Sequence, residues 1–159
     1  SVSAFLLNRS SDLEIIQNSE FAYMRAGMSQ NEYLETVTSF SAALINDLGG
    51  DTAKAADIAN EAAIQMSDNW NRFGGDFETI RYAYQGFAKQ NYTMLDNLKL
   101  GYGGTKTEME RLINDANEYA RSIGEAGDLS MDSFADQVKA IGLIQQKLGI
   151  AGTTMEEDL

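Results

Sequence analysis

Apolar residues recur at intervals of three and four through most of this chain, the period of a helix with one buried face. The clearest stripe runs Leu34, Val37, Ser41, Leu44, Ile45 and Leu48, widened by Tyr33 and Phe40. A second runs Met109, Leu112, Ile113, Ala116, Ala120 and Ile123. A third runs Phe134, Val138, Ile141 and Leu148, with Ile144 beside it. No segment sustains the strict alternation of a half-buried strand.

Turn and cap residues break the chain where these stripes end. Ser29-Gln30-Asn31-Glu32 is a capping box, in which the hydroxyl accepts from an orphan amide and the glutamate reaches back. Gly49-Gly50 follows that helix, and Asp51 starts an Ala-rich one (Ala53, Ala55, Ala56, Ala59, Ala62, Ala63) whose small residues allow close helix approach. Gly74-Gly75 with Asp76 repeats the stop and start. So does Gly103-Gly104 with the box Thr105-Lys106-Thr107-Glu108, and Gly127 and Ser130 mark another break. The spacing predicts about seven helices, roughly over 10–26, 30–48, 52–71, 76–90, 92–99, 106–123 and 131–147. The predicted fold class is all-α: a compact bundle of about seven short-to-medium helices joined by Gly-rich turns, with neighbours antiparallel because the loops are short. It forms a single helical module over 1–159, with 1–9 expected to be poorly ordered. Thr153-Thr154-Met155-Glu156-Glu157 doubles the capping-box pattern and announces another helix, so the stretch 153–159 reads as the start of a truncated helix and the chain as a fragment of a longer one.

Composition narrows the chemistry. The 159 residues are 43% hydrophobic and 23% charged, enough apolar surface for one packed domain. No apolar run approaches the ~18 residues of a membrane helix. Val2–Leu7 is too short for a signal peptide and lacks its basic flank. There is no Cys, hence no disulfide and no thiolate nucleophile, and no His, hence no imidazole base and no His-ligated zinc. There is no Pro to break a helix. Twelve basic against 24 acidic residues give a net charge of −12, which repels nucleic-acid phosphates and anionic membrane surfaces.

Three motifs invite a chemical reading and fail it. Gly101-Tyr102-Gly103-Gly104-Thr105-Lys106-Thr107 is not a phosphate loop, because Thr105 separates the last glycine from the lysine and no strand precedes it. Asp68–Asp76 has the composition of a calcium loop, but Trp70 stands where an oxygen ligand is required. Carboxylate pairs able to cleave a glycosidic bond have no recognisable catalytic context here. The aromatic group Trp70, Phe73, Phe77, Tyr82, Tyr84, Phe87 and Tyr92 reads chiefly as a helix-packing core, with a ligand pocket as the alternative. No catalytic, cofactor-binding or metal-binding residue is predicted.

The run from Tyr84 to Leu112, YQGFAKQNYTMLDNLKLGYGGTKTEMERL, carries more specific information. With Glu35–Ser41 (ETVTSFS), Leu48–Thr52 (LGGDT), Met66–Asn69 (MSDN) and Leu148–Thr154 (LGIAGTT), it resembles tail tape measure proteins of bacteriophages and prophages of Gram-positive bacteria. The resemblance covers roughly residues 24–157, nearly the whole chain.

The resemblance implies a structural protein of the phage tail, around which tube subunits polymerise until the ruler ends. It implies homo-oligomerisation of the full-length protein and contacts with the tail tube, tail assembly chaperones and baseplate proteins. Its expected location is the virion tail, with the host cytoplasm during assembly. No cofactor, nucleic acid or membrane contact is expected of this segment, and enzymatic activity is not. A partner surface is expected around Tyr92, Asp96, Lys99 and Tyr102, where polar and aromatic residues mix; the simpler reading makes Met94, Leu95 and Leu98 core and the rest caps. The alternative function is a free-standing helical ligand-binding or regulatory domain with a pocket near Trp70.

Overall fold

The computed structural model of the protein describes residues 29–151. Within them run α1 (Gln30–Asp47), α2 (Thr52–Phe73), α3 (Phe77–Ala88), a 3-10 helix (Leu95–Leu98), α4 (Lys106–Ser122) and α5 (Phe134–Lys147). The described residues contain no strand, and none of their helices is long and apolar enough to cross a membrane. The expected segment 1–9, helix 10–26 and helix start at 153–159 lie outside the described residues.

Each α-helix begins where a side-chain oxygen meets an orphan amide of the first turn. Ser29 accepts from Glu32 N at 3.1 Å, Asp51 from Lys54 N at 3.0 Å and Asp76 from Glu78 N at 3.0 Å. Thr105 and Ser133 do the same for α4 and α5, each at 3.1 Å. Two of the links turn on glycine pairs of positive φ, Gly49-Gly50 (65° and 89°) and Gly74-Gly75 (72° and 86°).

The expectation of seven helices joined by Gly-rich turns needs correction in four places. Five α-helices and one 3-10 helix are present among the described residues. The segment 92–99 is not an α-helix. Asn91 Oδ1 accepts from both the amide and the hydroxyl of Thr93, forming a local turn that competes with helix. The following 3-10 helix places Leu95 and Leu98 on one side, both fully buried. The link from α3 into it contains no glycine, and Gln90 itself adopts φ 62°. Finally, α5 starts at Phe134 and not at 131, because Ser130 N is taken by Asp136 Oδ2 and Ser133 supplies the cap.

The core lies between α2 and its neighbours. α1 packs along α2, α2 against α5, and α4 against α5, while α3 touches α1, α2 and α5. Val37, Phe40 and Leu44 of α1 are buried, and Phe40 meets Phe134 of α5 edge-on at 5.7 Å. Ala55, Ala59, Ala62 and Ala63 let α2 approach closely. The stripe Met109, Leu112, Ile113, Ala116 and Ala120 is buried as its period predicts, but Ile123 and Leu148, at the ends of their stripes, are exposed.

The expected antiparallel order does not extend to every neighbour. Gln65 of α2 meets Val138 of α5, and Asn69, one turn on, meets Gln145, so α2 and α5 advance in the same sense. The chain leaving α4 doubles back first. Arg121 donates to Gly127 O at 2.9 Å, and Asn117 grips both the amide and the carbonyl of Leu129 at 2.9 and 3.0 Å.

A chain of buried amides threads this apolar core. Gln65 Nε2 donates to Val138 O at 3.0 Å, and its Oε1 accepts from Tyr84 OH at 3.0 Å. Asn69 Nδ2 donates to Leu98 O at 2.8 Å and to Gln145 Oε1 at 3.0 Å, and Gln145 Nε2 donates to Gln65 O at 3.2 Å. Four elements are thereby tied in one register: α2, α3, the 3-10 helix and α5.

Candidate partner surface

The residues expected to face a partner separate into two environments. Tyr92 belongs to the core: it is buried, stacks on Phe87 with centroids 6.0 Å apart, and its hydroxyl accepts from Gln137 Nε2 at 3.0 Å. Its aromatic ring completes a run of buried rings from Tyr84 through Phe87. Asp96 and Lys99 are exposed, and Tyr102 is half-buried. Met94 is half-buried, and Leu95 and Leu98 are core.

Lys99 ends the 3-10 helix in the left-handed region, φ 57°, with its amide donating to Asp96 O at 3.1 Å. That geometry holds the two charged residues at one corner of the chain. Gly104 closes the same corner by contact: a Cβ there would lie 2.4 Å from Thr93 O and 3.4 Å from Asp96 Oδ1. Only glycine lets the chain approach itself this closely.

Tyr102 is held from two sides. Its hydroxyl donates to Asp115 Oδ2 at 2.6 Å, and the Arg111 guanidinium lies over its ring, 4.2 Å from the centroid. Arg111 also donates to Glu108 through Nε at 2.7 Å and Nη2 at 3.0 Å, and to Gly101 O at 2.8 Å. Glu108 in turn accepts from Gly103 N at 3.0 Å, so the box glutamate reaches past Thr105 to an amide two residues earlier. The Arg111 bonds first, and then the Gly103 amide, hold the Glu108 carboxyl at about 2. Burial, and then the bond to the Asp115 carboxylate, raise the Tyr102 hydroxyl above its ordinary range. Asp96, Lys99, Tyr102, Glu108 and Arg111 thus project from a backbone pinned by side-chain bonds. Such a strip can meet a partner with charged and aromatic groups whose positions are fixed in advance.

The aromatic group predicted as core is only partly so. Tyr84 and Phe87 are buried with Tyr92, Phe73 and Phe77 pack against the core's edge, and Tyr82 is exposed. Trp70 is 38% exposed, meets Phe77 edge-on at 5.6 Å and donates to Gly75 O at 2.8 Å. It lines a cavity of about 310 Å³ with Glu35, Glu78 and Arg81. There Arg81 bridges Glu35, at 3.2 Å, and Glu78. An arginine already shared by two carboxylates leaves little charge for an anionic ligand.

A larger groove of about 620 Å³ runs between α2, α5 and residues 125–129, and the sequence analysis does not single it out. Glu61 lines it, its carboxyl raised above the usual range by burial, an effect opposed by Lys139 and reinforced by Asp57. The signal that was available is the set of polar positions Asn60, Gln65 and Asp68 along the Ala-rich helix, all of which line the groove.

Comparison with protein families, curated proteins and solved structures gives no match to this chain.

Proposed function

We propose that this chain is a folded module of a phage or prophage tail tape measure protein, acting in tail assembly. The observation that carries the reading is the run Tyr84–Leu112. Its residues combine the buried anchor Tyr84, the corner at Asp96–Lys99, the contact glycine Gly104 and the Glu108–Arg111–Tyr102 cluster. A resemblance concentrated in that run rests on residues with defined structural duties, which composition alone would not produce.

The module is not itself an extended ruler. The longest helix among the described residues, α2, has 22 residues and spans about 33 Å at ~1.5 Å per residue, and it is packed against its neighbours. Length would be encoded in other segments of the parent chain, with this module docking to tube, chaperone or baseplate proteins and the parent chain oligomeric within the tube.

The decisive experiment is mass spectrometry of tails purified from the source phage or induced prophage, paired with disruption of the reading frame. Peptides of this chain in the tails, and loss of normal tails on disruption, are the expected results. Intact tails of normal length without the protein overturn the reading.

A further inference from the structure

Charge is not spread evenly along this acidic chain. The run Tyr84–Leu112 carries four basic residues (Lys89, Lys99, Lys106, Arg111) against three acidic ones (Asp96, Glu108, Glu110), while the rest of the chain carries eight basic against 21 acidic. The connection from α3 to α4, residues 89–105, has Lys89 and Lys99 against Asp96 alone, and Lys106 opens α4. All three lysines are exposed, and none forms an ion pair among the described residues.

The carboxylates that lie within this strip are mostly engaged. Glu108 Oε2 accepts from Arg111 Nε, and its Oε1 accepts from Arg111 Nη2 and Gly103 N. Asp115 Oδ2 accepts from Tyr102 OH. Only Asp96 and Glu110 of the acids in the run are exposed. The cations are less committed. Arg111 uses Nε and Nη2 on Glu108 and Gly101 O, whereas its Nη1 makes no hydrogen bond among the described residues and lies 3.8 Å from Asp115 Oδ2. The Arg111 side chain is 48% exposed while it is held over the Tyr102 ring.

The backbone that carries these cations is fixed before any partner arrives. Lys99 sits in the left-handed region at the corner that Gly104 closes against Thr93 O. Arg111 Nη2 fastens the same stretch through Gly101 O, two residues beyond Lys99. Lys106 is the first residue of α4, where the partial positive charge of the helix N-terminus has the same sign. A surface held in this way loses less freedom on binding, and a guanidinium edge matches a carboxylate. Lys139 offers no such surface, because it shares its groove with Glu61, Asp68 and Asp128.

We propose that the strip Lys99, Lys106 and Arg111 docks a carboxylate-rich segment of a partner protein, with Arg111 Nη1 and the two lysine ammonium groups donating to its carboxylates. Charge complementarity selects this partner. The acidic faces of the chain repel such a segment, which directs it to a strip where exposed cations outnumber exposed acids. The inference concerns the chemistry of the partner and does not depend on its being a tail protein.

The test is a titration of the ¹⁵N-labelled protein with an acetylated and amidated hexaglutamate peptide. An ionic strength of about 0.15 M screens remote charges over about 8 Å, so that local charge decides. Hexaserine of the same form is the control. Saturable shifts at the Lys99 and Gly101 amides and at the Arg111 Nε–H, with a dissociation constant of about 1–5 mM and none with the control, are expected. Lys99→Gln with Lys106→Gln should weaken binding at least about fivefold, and Asp96→Asn should tighten it about twofold. These positions are exposed, so the rest of the spectrum should stay unchanged in each variant. Shifts no larger at the strip than around Lys54, Lys139 and Lys147, unchanged affinity in the double variant, or hexathymidylate binding as tightly as hexaglutamate would overturn the proposal.

Discussion

A Cβ on Gly142 would lie 2.5 Å from Gln65 Nε2, so α5 has room for no side chain where Gln65 crosses to Val138 O. Helix propensity alone says that Gly142→Ala should stabilise by roughly 0.5–1 kcal/mol. Displacing the Gln65 amide breaks its buried bonds to Val138 O and Tyr84 OH, at a cost of roughly 1–3 kcal/mol. The second effect is larger, so Gly142→Ala should lower the denaturation midpoint. Combining it with Gln65→Ala should cost less than the sum of the two single changes. A rise in the Gly142→Ala midpoint in a urea titration would show that Gln65 is loosely held.

Asn69 ties the 3-10 helix to α2 through a hydrogen bond to Leu98 O at 2.8 Å. Asn69→Leu removes its donor and leaves Leu98 O and the buried Gln145 Oε1 to find other partners. The expected loss is about 2–3 kcal/mol, from unsatisfied buried acceptors. Hydrogen exchange should show the amides of residues 95–99 opening earlier than those of α4. Unchanged protection in that segment would mean that Leu95 and Leu98 hold it by packing alone.

The Glu108 carboxyl, held at about 2, titrates below the 4.5 of an unperturbed glutamate. A depressed folded-state value contributes stability that is fully present above pH about 4.5 and is lost as pH falls toward 2. The Gly103 amide resonance should follow that titration, because its hydrogen bond ends on Glu108 Oε1. Arg111→Gln removes the first cause and should bring the midpoint up toward 4.5. A wild-type midpoint already near 4.5 would contradict the bidentate pairing.

Lys99 and Tyr102 are the test residues for the partner strip. Lys99→Glu with Tyr102→Phe reverses an exposed charge and removes the hydroxyl bonded to Asp115, keeping the ring under Arg111. The double variant should fold with a loss of about 1 kcal/mol or less, since one partly exposed hydrogen bond is removed. On the proposed tail-assembly reading, it should abolish or sharply reduce tail assembly in the source phage. Normal tails from a normally folded double variant would remove this surface from consideration.

In-frame deletions separate ruler from module. Those within 29–148 should abolish tails or leave their length unchanged, because they break a packed unit whose helices share one core. Electron microscopy of tail lengths gives the answer. Tails that shorten in proportion to deletions in this range would make the module part of the ruler.

Helix positions were legible in the residues because their causes are local. The period that buries Met109, Leu112, Ile113 and Ala116 needs only neighbours along one helix. The caps at Ser29, Asp51, Asp76 and Thr105 bond amides two or three residues away. The apolar spacing around Leu95 suits an α-helix and a 3-10 turn alike, and the Asn91–Thr93 turn and the long-range bond from Asn69 decide between them. The sequence puts Tyr92 both in the aromatic core group and in the partner strip, and Phe87 and Gln137, reaching it from other elements, decide for the core.

The amino-acid sequence by itself determined that this chain is helical, where most of its helices start, and that it has neither thiol nor imidazole chemistry. These follow from residue type and from interactions spanning a few positions. Only the tertiary structure decided that α2 and α5 run in the same sense, that Gln65, Asn69, Gln137 and Gln145 are interior, and that the ends of α1 and α3 and the start of α5 meet at one small pocket. Those facts depend on contacts between residues 45 to 88 positions apart, such as Gln137 with Tyr92 and Asp47 with Ala135. No local pattern encodes such a pairing, because the free energy that selects it comes from burying many surfaces at once.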